Sequence, residues 1–281
     1  MIADDVIKAV RDLPSLPAVV VELLATMEQE DIDTHVLAGK ITLDQALTAK
    51  TLRLANSSFY GMPSKVTTIP QAISVLGFHS IRTLVTACSV TASFTPGAGD
   101  AFDFPGFWRH AIGSAVCARV LAPHYRINPD TAFTAGLLHD LGTLVLATRF
   151  RDDYLRVSAY RREHDCLTET AQLAVFGIGH AAVGAALAAH WKFPPPIQAA
   201  VAEHHSAGER LTRHTPVTLP AVVYLANILA HALDLSGQQD DQAPPLPLAA
   251  WQALALSDAA CDSVFADTEK LFHDMCQMLT P

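Results

Sequence analysis

The stretch TAGLLHDLGTLVL, residues 134–146, sets His139 beside Asp140 at the end of one apolar run and at the head of another. Such a pair is either half of a metal site or a helix end where two polar residues happen to touch. In both directions from it, apolar residues recur at spacings of three and four, and alternating apolar-polar runs are scarce. That period is helical, so the chain reads as all-α.

N-terminal to the pair, LPAVVVELLATMEQE opens near Pro17, where a missing N–H costs nothing, with Val20, Leu23, Leu24 and Met27 on its apolar face. LDQALTAKTLRLANSSFYG follows, with Asp44 as its N-cap, a face through Leu47, Leu52 and Leu54, and an end at Asn56, Ser57, Ser58 and Gly61. In TIPQAISVLG, Thr68 caps, Pro70 sits in the first turn and Gly77 takes the left-handed position past the end. The Gly- and Pro-containing stretch 95–106 reads as a linker between two helical lobes. The polar, proline-rich stretch 236–247 reads as a second break before a terminal pair of helices near 248–279. The expected organisation is an N-terminal lobe over 1–95, a second helical bundle over 96–235, and a linker with C-terminal helices over 236–281.

Half of the 281 residues are apolar, enough for a sizeable core. The formal charge of −9 leaves no global basic surface, which argues against DNA as a partner. LPAVVYLANILAHAL is too short and too polar to span a bilayer, and MIADDVIKAV has acids where a secretory signal carries bases. Five scattered cysteines without a C-x-x-C spacing give neither a disulfide framework nor a thiolate zinc site. A cytoplasmic protein without membrane contact is expected.

Chemistry points to polar residues on otherwise apolar, alanine-rich segments: His110, the His139–Asp140 pair, His180, the His204–His205 pair and Asn227. Imidazole nitrogen and carboxylate oxygen suit one divalent ion such as iron, manganese, nickel or zinc when thiolates are absent. A buried hydrogen-bonded network between helices is the alternative use of the same residues. Neighbours on a helix diverge by about 100 degrees, so the sequence leaves open which of His204 and His205 faces inward.

The order H…HD…H…HH…N resembles the HD superfamily of metal-dependent phosphohydrolases. More closely, LPSLPAVVVELL, ITLDQALTAKTLRLANSSFYG, TIPQAISVLGFHSIRTLV, AGLLHDLGTLVL and HAAVGAALAAHWKFPPPIQAAVAEHH resemble, in order, the HDOD family, the HD-related output domain of bacterial signalling proteins. The resemblance runs from about Leu13 to His205 and on to Asn227. It implies two helical lobes, the second an HD-like bundle, and a regulatory role exercised through signalling partner proteins. By position it also implies metal ligation by His110, His139, Asp140, His180 and His204 or His205.

Two departures bear on activity. The last ligand position, normally an aspartate, is matched by Asn227, a neutral amide, leaving Asp140 as the expected sole anion. HD-GYP phosphodiesterases carry a lysine in HDxGK, where this chain has Thr143, and no GYP tripeptide occurs. A hydroxyl cannot steady a phosphate as an ammonium does. The resemblance therefore implies a degenerate, non-catalytic pocket. The competing reading is a phosphohydrolase acting on a nucleotide or cyclic dinucleotide with Asp140 at its centre, and a third is nucleotide sensing without hydrolysis.

Outside this constellation, Arg53, Lys65 and Arg82, with Lys50, are either a small ligand-binding face or, as in most proteins, an ordinary solvated one, and Phe59 and Tyr60 either form a partner-recognition loop or, the favoured reading, pack back on the first lobe. The terminal segment offers Val264, Phe265, Leu271, Phe272, Met275 and Leu279 as a stripe that either docks on its own domain or forms a homodimer contact.

Overall fold

A computed structural model describes residues 3–13, 16, 18–25, 34–56, 65–94, 102–212, 214–238 and 242–279. The described residues form helices and no strand, in the order α1 (Ala3–Arg11), α2 (Ala18–Ala25), α3 (Thr34–Leu43), α4 (Gln45–Ala55), α5 (Ile69–Leu76), α6 (Phe78–Ser93), α7 (Phe104–Leu121), α8 (Pro129–Leu138) and α9 (Leu141–Arg149). The chain continues through α10 (Arg151–His164), α11 (Thr168–Phe176), α12 (His180–His190), α13 (Pro195–Glu203), α14 (Leu219–Ala232), α15 (Leu248–Leu254) and α16 (Asp258–Leu279), with short 3-10 turns at Ala122–Tyr125 and Ala207–Arg210. No single helix among the described residues is long and apolar enough to cross a membrane.

Helix α7 is the axis of the second half. It is buried along nearly its whole length and packs against α8, α14 and α16. A helix apolar on every side has no face to give to water, and α14, buried from Leu219 to Ala230 apart from Pro220, follows the same rule. The N-terminal helices α2 to α6 pack largely on one another, while α1 buries Val6 and Val10 and lies against α12 and α9.

The local signals operate as ordinary hydrogen-bond chemistry. Asp44 Oδ1 accepts from the Leu47 N–H at 2.9 Å, and Thr68 Oγ1 from the Gln71 N–H at 3.2 Å. Gly77 has φ +83° but ψ 155°, an extended mirror-image conformation rather than the left-handed helical one, because the same residue must also start α6. On α4 the buried stripe is Leu47, Thr51 and Ala55, with Leu52 only half-buried. Asn56 closes that helix and also clamps Val66: its Nδ2 donates to the carbonyls of Leu52 and Val66, and its Oδ1 accepts the Val66 N–H, each at 2.7 Å.

Three expectations need correction or limits. The linker read over 95–106 ends earlier, since α7 begins at Phe104 with Pro105 in its first turn and Asp103 Oδ1 capping the Gly106 N–H at 2.9 Å. Proline and glycine in a first turn look like a loop in sequence but fit a helix start. Arg82 does not belong to an exposed basic face: it is buried on α6, with Nη2 3.0 Å from His79 Nδ1, and burial lowers its pKa to about 10 although Asp130 opposes that. Lys50, Arg53 and Lys65 are exposed, and Phe59 and Tyr60 lie outside the described residues.

Asp130 ties the two halves together. It pairs with Arg119, accepts the Ser80 hydroxyl at 3.0 Å on Oδ2, and its carbonyl accepts the Thr83 hydroxyl at 3.2 Å. Helix α16 docks on α7, α4 and α6, burying Val264, Thr268, Phe272, Met275 and Cys276, while Phe265 stays 38% exposed.

Candidate metal centre

Six donor residues arrive from separate elements, most of them at helix ends. His110 projects from α7, His139 caps the C-terminus of α8, Asp140 starts α9, His180 is the first residue of α12, and His204 and His205 follow the end of α13. Asn227 comes from α14. Because α13 stops at Glu203, His204 and His205 escape the divergence of helical neighbours, and both rings turn inward.

The approach of α9 to α12 depends on Gly142. A Cβ there would lie 2.0 Å from the His180 carbonyl oxygen and 2.6 Å from the Gly184 nitrogen, both backbone atoms. Only a glycine two residues after Asp140 lets the start of α12 come this close.

The donors form two groups that share one carboxylate. Asp140 Oδ1 lies 3.1 Å from His180 Nε2 and 3.3 Å from His204 Nε2. Within the same group, His180 Nε2 is 3.2 Å from His204 Nε2 and 2.7 Å from His205 Nε2. On the other side, Asp140 Oδ2 lies 3.4 Å from His139 Nε2 and 3.7 Å from His110 Nε2. His110 Nε2 is in turn 3.3 Å from His139 Nε2 and 2.9 Å from Asn227 Oδ1.

The ring protons decide between metal and hydrogen bonds. His139 Nδ1 is 2.6 Å from the Gly136 carbonyl and His204 Nδ1 is 2.7 Å from the Val201 carbonyl. A carbonyl can only accept, so both Nδ1 atoms carry the proton. His180 Nδ1 lies 2.6 Å from Gln172 Oε1, which also accepts the His180 N–H at 2.9 Å, so this ring too is protonated on Nδ1. In their neutral forms, three rings thus turn bare Nε2 lone pairs toward each other and toward a carboxylate. Facing lone pairs repel unless a cation lies among them. An ion about 2.1 Å from each donor places neighbouring donors about 3.0 to 3.4 Å apart, which is the spacing here. The residues fit a divalent ion, with partners on the far ring nitrogens of the kind that orient metal-bound histidines.

The protonation preferences of the rings differ: those of His139 and His205 favour the neutral form, and that of His180 does not. Burial pushes His139 down to about 4, against the pull of Asp140, and so keeps that ring neutral. Burial also lowers His205 strongly, aided by the neighbouring His204 and His180. For His180 burial acts downward, but the Asp140 charge and hydrogen bond outweigh it and the pKa rises. Burial alone would raise the Asp140 carboxyl; the neighbouring His139 and His180 hold it well below the usual range.

A cavity of about 470 Å³ opens over Asp140, His110, His180, His205 and Asn227. Its wall includes Thr143, Arg151, Tyr154, Arg161, His231 and Gln238. The His231 ring lies 4.2 Å from that of His110, centroid to centroid. Sequence reasoning missed Gln172, Glu169 and His231, although Gln172 carried the signal used for the others, a polar residue in an apolar helical run. It also missed that the supposed linker after 236 walls the cavity, where Gln238 Nε2 donates to Asp103 Oδ2 at 3.0 Å and Gln242 Nε2 to Asp165 Oδ1 at 2.6 Å. Among the described residues Asp140 is the carboxylate of both groups, and Glu169 stands just outside them, its Oε2 3.7 Å from His205 Nε2.

Comparison with known proteins agrees with this architecture. The HDOD domain profile matches residues 13–207. An uncharacterized protein of Treponema pallidum (strain Nichols) is 25% identical over 243 residues, covering 83% of this chain and 45% of its own length, so the chain spans less than half of that relative. An HDOD domain protein of unknown function from Geobacter sulfurreducens superposes with a TM-score of 0.78 at 21% identity, covering 98% of this chain and 97% of the other. A Shewanella amazonensis SB2B protein provisionally named a phosphohydrolase gives 0.72 at 26% identity, with 98% and 96% covered. A Marinobacter aquaeolei VT8 protein provisionally named a signal transduction protein gives 0.75 at 21% identity, with 96% of this chain and 60% of that one covered. With the profile spanning more than half of the sequence, the chain belongs to the HDOD domain family.

Proposed function

We propose that this chain is a signal-transduction module that holds a divalent ion in its His/Asp cluster and acts through contacts with partner proteins, without hydrolysing a substrate. The observation that carries the reading is the contrast within one site. Bare Nε2 atoms of His139, His180 and His204 converge on Asp140 as metal donors, while the positions expected to drive hydrolysis hold Thr143 and Asn227. Thr143 is buried and lines the cavity without bringing a positive charge to it. Asn227 Oδ1 faces His110 Nε2 at 2.9 Å, a neutral contact in place of an anionic ligand. A bound ion would draw the cluster's helix ends together and supply Lewis acidity there.

A second reading, hydrolysis of a phosphate ester, is favoured by the cavity itself, which is large enough for a small ligand and has Arg151 and Arg161 in its wall. Both readings are tested together. Protein purified without chelator is analysed for iron, manganese, nickel and zinc, then assayed with cyclic dinucleotides and simple phosphodiesters. The proposal expects stoichiometric metal and no turnover. Turnover abolished by His139→Ala and Asp140→Ala would establish the second reading, and a protein that takes up no divalent ion would defeat both.

A further inference from the structure

The cluster is asymmetric in charge. Both halves use Asp140, one through Oδ1 and one through Oδ2, but their remaining neighbours differ. Around His110 and His139 the additional oxygen is the neutral amide of Asn227. Around His180, His204 and His205 it is the carboxylate of Glu169, 3.7 Å from His205 Nε2. Helix α11 presents Glu169 and Gln172 three residues apart, so both lie on one face, toward the two histidines they serve. Glu169 is one-third exposed and lines the cavity, outside the tight Asp140–His180–His204–His205 group, so its carboxylate joins an ion there by a rotation of a side chain that packing does not lock.

Space has been left for that carboxylate. A Cβ at Gly179, the residue before His180, would lie 3.0 Å from Glu169 Oε1 and 3.1 Å from its Cγ. Gly179 has φ −90° and ψ 161°, a conformation any residue adopts, so the glycine is explained by what stands beside it and not by its backbone.

We propose that Glu169 is the second anion of the metal cluster, serving the ion held by Asp140 Oδ1, His180, His204 and His205, so that this half fills first and the His110–His139–Asn227 half fills weakly. The inference rests on the metal-binding reading above and adds to it an order of filling and a ligand outside the HD pattern. One divalent charge is balanced by Asp140 and Glu169 together; a second ion on the Asn227 side meets only the already shared Asp140. The competing explanation is that Glu169 is an ordinary first-turn acid facing the helix dipole, which predicts no effect on metal.

The test is a titration of the full-length, chelator-stripped protein with Co²⁺, followed by visible absorption and equilibrium dialysis. The wild type is expected to take one tight equivalent and a second at least ten-fold weaker. Glu169→Gln lowers the affinity of the first equivalent by about 10- to 100-fold and leaves the second unchanged. Gly179→Ala, which crowds the same carboxylate from the other side without altering a ligand, lowers it in the same direction. Asn227→Asp strengthens the second equivalent. Two equal equivalents in the wild type, or a first equivalent unmoved by Glu169→Gln, overturn the inference while leaving metal binding intact; no Co²⁺ uptake by the wild type overturns both.

Discussion

Replacing Gly142 by alanine tests whether the close crossing of α9 and α12 builds the site. The added Cβ would stand 2.0 Å from the His180 carbonyl oxygen, where carbon and oxygen ordinarily keep about 3.3 Å apart, so the two backbones must separate by about 1 Å. Neither contact is a side chain that can rotate away. Overpacking of this kind costs up to about 3 kcal/mol. For a chain of this size that lowers Tm by up to about 5 °C. The same displacement lengthens the 3.1 Å approach of Asp140 Oδ1 to His180 Nε2, while metal coordination tolerates only about 0.2 Å. The second signature is therefore loss of the rise in Tm that divalent metal is expected to give the wild type. Gly39→Ala on α3 is the control: that glycine is exposed, nothing lies within 4 Å of its Cβ position, and helix propensity alone stabilises the variant by up to about 1 kcal/mol. Calorimetry of the two variants with and without Zn²⁺ reads both signatures. A Gly142→Ala protein with wild-type Tm and an undiminished metal-induced rise would refute the argument.

Gln172→Leu removes the acceptor of two His180 hydrogen bonds and strands a buried N–H, costing about 1 to 3 kcal/mol and about 10- to 100-fold in metal affinity, whereas Gln172→Glu keeps the acceptor and retains the metal. Metal titrations and unfolding midpoints of the pair separate a positioning role from simple packing, since packing predicts equal losses. In the chelator-treated protein, stability is expected to fall on acidification from about pH 6.5 to 4. The folded pKa of His139, about 4, lies below its unfolded value of 6.5, so the folded state binds fewer protons and loses up to about 3 kcal/mol as the pH drops through that window. His205 acts in the same direction and His180, whose pKa is raised, in the opposite one. Urea midpoints across this range should fall less steeply in His139→Gln, and an unchanged slope would remove His139 as the cause.

Much of the site was legible in the sequence because burial makes polar residues conspicuous: His110 and Asn227 each interrupt an apolar helix, His180 opens one, and each reaches the cluster. Pairing within the site was not legible. Glu169 sits in the first turn of α11, where an acid is commonplace, and only the path of the chain through Gly177 and Gly179 brings it beside His205. Arg82 was misplaced for the converse reason. Charge argues for the surface, yet packing of α6 on α8 buries the guanidinium beside His79 and near Asp130. Helices α1 and α3 were not anticipated; α1 is short and buries only Val6 and Val10, and α3 carries Gly39 with few apolar positions committed to one face.

On the proposed reading of a module that signals without turnover, the placement of donors at helix ends supplies the coupling. His139, Asp140, His180 and His204 are each fixed by where a helix starts or stops, so the spacing of the donors is the spacing of α8, α9, α12 and α13. An ion present at about a hundred times its dissociation constant would stabilise that arrangement by about 2.7 kcal/mol over any state in which the ends part. Linkage makes the relation reciprocal: a partner that binds more tightly when α9 and α12 are closed must also raise ion affinity by the same factor. Coupling of this kind needs the complete imidazole cluster and Asp140 but no lysine at position 143 and no aspartate at position 227. Thr143 and Asn227 beside a metal-facing geometry are then the pattern the proposal expects, in which the ion serves the packing of helices and not the cleavage of a bond.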